Sequence, residues 1–159
     1  MAAYTDSHGF NKGSAGGHPA KGLTRVGYME VDLDFAKITA ARAAAGATAL
    51  AAGDSIEVLS IPANTLVMAV GATTITAEGA ASTFDIGLTG GDVDGFVDGG
   101  DANAVGTTQS NGALLIANNN GHYFATADTI DMLIGVTGAV TDAARIKVWA
   151  VVVDCSTVA

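Results

Sequence analysis

The sequence predicts an all-β fold: a two-sheet β-sandwich, jelly-roll-like, with about eight strands. Three observations lead to this prediction. Short apolar runs recur, turn residues separate them, and several runs alternate apolar and polar side chains with the two-residue period of a half-buried strand. Such runs are typical of sandwiches and barrels. The 159 residues are 49% hydrophobic but only 6% aromatic, which is enough to bury one core of mostly small side chains.

We expect a single β-sandwich domain at residues 28–159, preceded by an extended N-terminal arm at residues 1–27. The arm shows neither the helical nor the strand period and is rich in glycine. It is either a frayed terminus or a segment that becomes ordered against a neighbouring subunit or a partner. Its aromatic and basic side chains would then make the contacts, so the candidate partner-binding residues are Tyr4, Phe10, Lys12, Lys21 and Arg25.

The first predicted strand spans residues 28–35, where apolar and acidic side chains alternate and Tyr28 stands at the edge of the acidic face. Residues 36–53 contain ten alanines, which favour a short helix at about residues 36–45 that ends at Gly46. A loose linker is the alternative, because so short an Ala-rich helix is marginal on its own.

The segment at residues 54–103 organises the rest of the domain. Its strands are predicted at residues 56–61, 65–70 and 83–88, and a Gly- and Asp-rich loop follows them. Four later strands are predicted at residues 113–117, 122–126, 128–136 and 145–155. Both faces of the last strand become apolar after Trp149, which predicts a central strand or an oligomer interface.

The loop DVDGFVDGGD at residues 92–101 is a weak candidate for calcium binding, because Ca²⁺ prefers carboxylate oxygens on a tight turn. It does not match an EF-hand, since Phe96 occupies the fifth position and no glutamate closes the loop. The alternative is an acidic turn with Phe96 and Val97 tucked into the core. The candidate ligands are Asp92, Asp94, Asp98 and Asp101.

No other stretch carries a catalytic signature, so we expect no enzyme and no cofactor. His8 and His18 are ten residues apart in flexible sequence, and His122 is expected at the cap or edge of a strand. Cys155, the only cysteine, is expected to be buried or near-terminal and excludes an internal disulfide. Three aromatic residues could line a sugar-binding face or belong to the core: Tyr123, Phe124 and Trp149.

The charge distribution excludes some partners. The net charge is −9, and residues 43–144 contain eleven acidic residues but no lysine or arginine. A body of this sign repels nucleic acid. No apolar run approaches the roughly 20 residues that cross a bilayer, and the N-terminus lacks the apolar core of a secretory signal. We therefore expect neither a nucleic acid nor a membrane as partner.

Three segments carry a resemblance to a known group. DSIEVLSIPANTLVMAVGATTITAEGAASTFDIGLTGGDVDGFVDGGDANA at residues 54–104, IDMLIGV at 130–136 and RIKVWAVVVDCS at 145–156 resemble small virion structural proteins of tailed bacteriophages. Proteins of that kind are similar to capsid decoration, or cement, proteins: β-sandwiches on the outside of the major capsid lattice, often trimeric. The resemblance covers residues 28–156 and rests on strand and turn motifs, so it implies no functional residue position by position.

The resemblance implies a structural protein, made in the host cytoplasm, that decorates and stabilises the outer capsid surface of a virion by binding the major capsid protein. It also implies a homo-oligomer, with a trimer favoured. The alternative function is a carbohydrate- or receptor-binding module of a head fibre or tail fibre. A calcium-stabilised sandwich is a third hypothesis.

Overall fold

A computed structural model describes residues 25–109, 121–138 and 142–156. Across these residues, nine strands form two antiparallel sheets and one helix follows the first strand, so the predicted all-β sandwich is confirmed. In chain order the elements are β1 (Arg25–Asp34), α1 (Phe35–Ala44), β2 (Ser55–Ile61), β3 (Thr65–Thr76), β4 (Ser82–Gly87), β5 (Val97–Asp101), β6 (Gly106–Gln109), β7 (His122–Phe124), β8 (Asp128–Gly138) and β9 (Arg145–Asp154).

The strand order is that of a jelly roll. The first sheet has the order β1-β9-β3-β6 and the second has the order β2-β8-β4-β5, while the three-residue β7 also pairs with β3. Without β7, the strands fall into the orders first-eighth-third-sixth and second-seventh-fourth-fifth, which are the two sheets of a jelly roll. The jelly-roll-like prediction is therefore confirmed.

One edge of the first sheet is made of two pieces. β6 pairs with Gly71–Thr74 of β3, and β7 pairs with Thr65–Val67, both in the antiparallel sense. The two short strands therefore continue each other along one side of β3. The strand predicted at residues 113–117 belongs to the insertion between them and lies outside the described residues.

The core lies between the sheets and is filled by alternate side chains of each strand. The fully buried residues of β9 are Ile146, Val148, Ala150 and Val152. They face buried side chains of the second sheet, among them Phe84, Ile86, Ile130, Met132 and Ile134. Because successive residues of a strand point to opposite faces, the residues of β9 between these, and Arg145 and Val153 at its two ends, lie on the outside of the first sheet.

The sequence does not predict β5 and β6. The composition of β5, VDGGD, is that of a turn, yet packing makes it a strand. Gly100 lies under the ring of Phe84, where a Cβ atom would overlap the ring. The prediction that Phe96 and Val97 tuck into the core is confirmed, because both are fully buried.

Two element boundaries differ from the prediction. β1 begins three residues before the predicted strand, because its pairing with β9 continues to Arg25 opposite Asp154. Arg25, predicted to lie in the arm, therefore belongs to the sheet. β3 runs to Thr76 instead of residue 70, because its ladder with β9 also continues.

The predicted helix is confirmed as α1. The Asp34 side chain caps it by accepting a hydrogen bond from the backbone N–H of Lys37 at 3.1 Å. Gly46 follows the helix with a φ of 67°, which is the usual way for glycine to end a helix. Within the described ranges, no helix has the length and hydrophobicity needed to cross a membrane.

Candidate functional site

The outward side chains of the first sheet lie in registered rows, two of which are apolar. The row nearest the start of β1 contains Val26, Val153, Leu66 and, on β7, Tyr123. The next row contains Tyr28, Val151 and Ala69. We call these seven residues the apolar rows. Val26 is 62% exposed, Tyr28 53% and Tyr123 48%, so this is an apolar surface open to a partner.

Trp149 extends this surface toward the middle of the sheet. It lies in the third row, between Glu30 on β1 and Gly71 on β3. Its indole packs directly on Gly71, where a Cβ atom would overlap the ring. The Tyr28 ring stacks beside it at a centroid distance of 6.5 Å and an interplanar angle of 21°. β9 is the central strand between β1 and β3, as predicted.

The outer face becomes polar beyond Trp149, and its charges are paired. Arg145 donates two hydrogen bonds to Asp32, at 2.9 and 2.6 Å. Lys147 donates one to Glu30 at 3.1 Å. The hydrogen bond from Lys147 lowers the pKa of Glu30, and those from Arg145 lower the pKa of Asp32. Both carboxylates therefore stay ionised at neutral pH and are neutralised by their partners.

A third pair lies at the end of β1, where the ammonium group of Lys37 is 2.7 Å from the carboxylate of Asp34. Three of the four basic residues in the range 26–159 are thus paired with the acids of β1. The fourth, Arg42, donates to the carbonyl of Thr48. With Arg25, the first residue of β1, residues 25–159 contain fifteen acidic and five basic residues. The outer face of the first sheet is consequently a charge-balanced surface on an acidic body.

The predicted calcium ligands belong to the second sheet and the turn before it. Asp92 and Asp94 lie in the turn that precedes β5, whereas Asp98 and Asp101 belong to β5 itself. Asp101 accepts a hydrogen bond from the backbone N–H of Asn103 at 2.7 Å. In the part of the chain that the structure describes, no three histidine, cysteine or carboxylate side chains are placed to hold a metal ion together.

The same region contains a buried carboxylate that the sequence interpretation missed. Asp85 on β4 is buried and accepts a hydrogen bond from the backbone N–H of Gly99 at 2.8 Å. Burial raises the pKa of Asp85, and the charges of Asp98 and Asp94 raise it further. The surface around β5 is therefore strongly acidic, in contrast to the balanced outer face of the first sheet.

Of the predicted partner-binding residues, only Arg25 falls within the described ranges, at the first position of β1. The others lie outside them, as do the histidines of the arm: Tyr4, Phe10, Lys12, Lys21, His8 and His18. Their role in binding stays a prediction. Cys155 lies just beyond β9 and is exposed, so the near-terminal expectation holds and the buried one does not.

The aromatic candidates for a sugar-binding face do not form one group. Phe124 is buried in the core, with the His122 ring edge-on at 4.7 Å between centroids. Tyr123 is exposed and donates a hydrogen bond to the Asn64 side chain at 2.9 Å. The row of Tyr123 and the row of Trp149 are four residues apart along β9, which is about 13 Å. One sugar ring therefore cannot stack on both.

Two chains of similar fold are among the matches to solved structures. One is in the cyanophage Pam1 capsid asymmetric unit, with a TM-score of 0.53 and 15% identity over 98% of this chain and 100% of that chain. The other is in the capsid of Ralstonia phage GP4, with a TM-score of 0.54 and 15% identity over 91% of this chain and 93% of that chain. At this identity the likeness shows the fold. No family model and no curated protein matches the sequence.

Proposed function

We propose that this chain is a non-enzymatic structural protein of a phage particle, which decorates and stabilises the outer capsid surface by binding the major capsid protein. The observation that carries the proposal is the match, almost end to end, with two chains of about the same length from phage capsids. The similarity of fold extends over nearly the whole of each chain. A small jelly-roll domain of this kind is well suited to a place in a capsid.

The charge layout suggests how such a protein would attach. Residues 1–24 contain two basic residues and one acid, whereas residues 25–159 contain fifteen acids and five bases. The arm and the body therefore have opposite signs. An arm with Tyr4, Phe10, Lys12 and Lys21 would contribute little alone, but many copies acting on one lattice would bind strongly.

Binding to undecorated capsids of the phage whose genome encodes the chain tests this proposal. A variant that begins at residue 25 and a full-length variant carrying Lys12→Gln and Lys21→Gln should both show lower occupancy in electron microscopy of the particles. The expected loss for the truncated variant is about tenfold or more in affinity, since a whole contact segment is removed. Circular dichroism should show that both variants keep the fold.

Val105→Lys is the control for these variants, because Val105 is 70% exposed and lies in the loop before β6. It should decorate capsids like the wild type. Full occupancy by the truncated variant would show that the arm is not the tether. Failure of the wild type itself to bind any capsid would contradict the proposed function as a whole.

A carbohydrate- or receptor-binding fibre module is the second candidate, and the outward position of Tyr123 favours it. Glycan-array binding that is lost on Tyr123→Ala would support this candidate. Capsid binding without any glycan binding would support decoration instead.

A further inference from the structure

We infer that the apolar rows of the outer face are the contact surface for a second copy of this chain. The inference rests on the proposed function, and it names the surface that would make the homo-oligomer which the resemblance to capsid decoration proteins implies. The rows place three well-exposed apolar side chains, Val26, Tyr28 and Tyr123, on one face of one sheet. Trp149 adjoins them. Aromatic side chains of this kind are the commonest energetic centres of protein interfaces.

The distribution of charge favours a second copy of this chain as the partner at this surface. Residues 25–159 carry a net charge of −10, so two such bodies repel each other over a distance of about 10 Å at 0.1 M salt. This repulsion is low at the outer face, because the acids of β1 are paired with Arg145, Lys147 and Lys37. Residues 1–24, which contain Lys12 and Lys21, would be drawn instead to the acidic surface around β5.

The polar groups of this surface are already satisfied within the chain. The Tyr28 hydroxyl donates to Glu30 at 3.0 Å, and the Tyr123 hydroxyl donates to Asn64 at 2.9 Å. A second copy can therefore cover both rings without leaving an unpaired buried hydroxyl, which would otherwise cost free energy. Trp149 presents a flat ring because it lies on Gly71, which suits close packing against another face.

Sedimentation velocity of the full-length protein, without capsids, tests the inference with two matched valine variants. Val26→Lys places a charge in the apolar rows, and Val105→Lys places the same charge on a valine of similar exposure elsewhere. Both changes reduce the net negative charge equally, so any difference in association between the two variants comes from the position of the substituted valine. We expect the wild type and Val105→Lys to associate, and Val26→Lys to associate about tenfold or more weakly. Tyr28→Lys should behave like Val26→Lys.

Thermal unfolding should show that all three variants fold. Association of Val26→Lys and Tyr28→Lys that equals the wild type would overturn the inference, as would a wild type that stays monomeric. Loss of association on Lys12→Gln and Lys21→Gln, with Val26→Lys unaffected, would assign the contact to the arm and also overturn it. Because no capsid is present, these outcomes are independent of whether the protein decorates one.

Discussion

At the scale of single residues, Glu78 joins parts of the chain that are far apart in sequence. It follows β3, and its Oε2 atom accepts hydrogen bonds from the backbone N–H groups of Asp142, Ala143 and Ala144 at 2.9, 2.9 and 3.0 Å. Gly79 donates to Oε1 at 3.1 Å. Burial alone would raise the pKa of Glu78, but the four backbone donors together lower it below its usual value of 4.5. The carboxylate thus fixes the entry into β9.

Glu78→Gln should destabilise the protein by about 1–3 kcal/mol at neutral pH, because buried and part-buried N–H donors lose a charged acceptor. The pKa of Glu78 is lower in the folded than in the unfolded chain. Its contribution is therefore fully present above the unfolded value and is lost as the pH falls through the folded value. Urea unfolding of both proteins should show a difference that shrinks below pH 4.5.

The exposed Glu57 on β2 provides the control for this measurement. Glu57→Gln should change the free energy of unfolding by no more than about 0.5 kcal/mol. Equal stability of wild type and Glu78→Gln at neutral pH would show that the negative charge is not what holds the segment before β9.

At the scale of elements, β5 depends on Gly100, which has no side chain and therefore lets the Phe84 ring lie against the backbone of the strand. Gly100→Ala should destabilise the protein by about 1–3 kcal/mol, because the new Cβ atom would overlap the Phe84 ring. For a chain of this size that lowers the melting temperature by roughly 2–4 °C for each kcal/mol. Gly106→Ala in β6 is the matched control, since its Cβ atom meets nothing within 4 Å. Calorimetry that found both variants equally stable would refute this account of β5.

The elements that the sequence predicts are those whose local pattern and packing agree. β1, β8 and β9 alternate clearly, and α1 has both its alanines and its Gly46 stop. β5 is missed because its composition is that of a turn, and only the ring of Phe84 explains its glycine. Packing between the neighbouring strands β4 and β5 decides the structure at that point.

The candidate surface was only partly predictable for the same reason. The apolar character of β9 after Trp149 and the edge position of Tyr28 are visible in the sequence, and they predict a buried strand or an interface. The apolar rows, however, depend on the register of β1 and β3 against β9, which no local pattern encodes. Glu78 is missed likewise, because the first of its distant donors lies 64 residues away.

At the scale of the whole molecule, the arm and the body carry opposite charge. The salt dependence of self-association therefore shows whether copies meet body to body or arm to body. If copies meet through the apolar rows, salt screens the repulsion between bodies that carry −10 each over residues 25–159, and association should tighten as sodium chloride rises. The screening length falls from about 10 Å at 0.1 M to about 3 Å at 1 M. If copies instead meet through a basic arm on an acidic body, the same change should weaken association. Sedimentation equilibrium across this range separates the two.

The variant with Lys12→Gln and Lys21→Gln completes this measurement. It removes two of the three basic residues of residues 1–25 but leaves the pairs of Arg145 and Lys147 on the outer face intact. We expect it to associate more tightly with rising salt, as the wild type does, because the repulsion lies between the bodies. The opposite result is a wild type whose association weakens with salt and a variant whose association no longer depends on salt. That result would show that copies meet through attraction between the basic arm and the acidic body. The apolar rows would then have to bind a different partner.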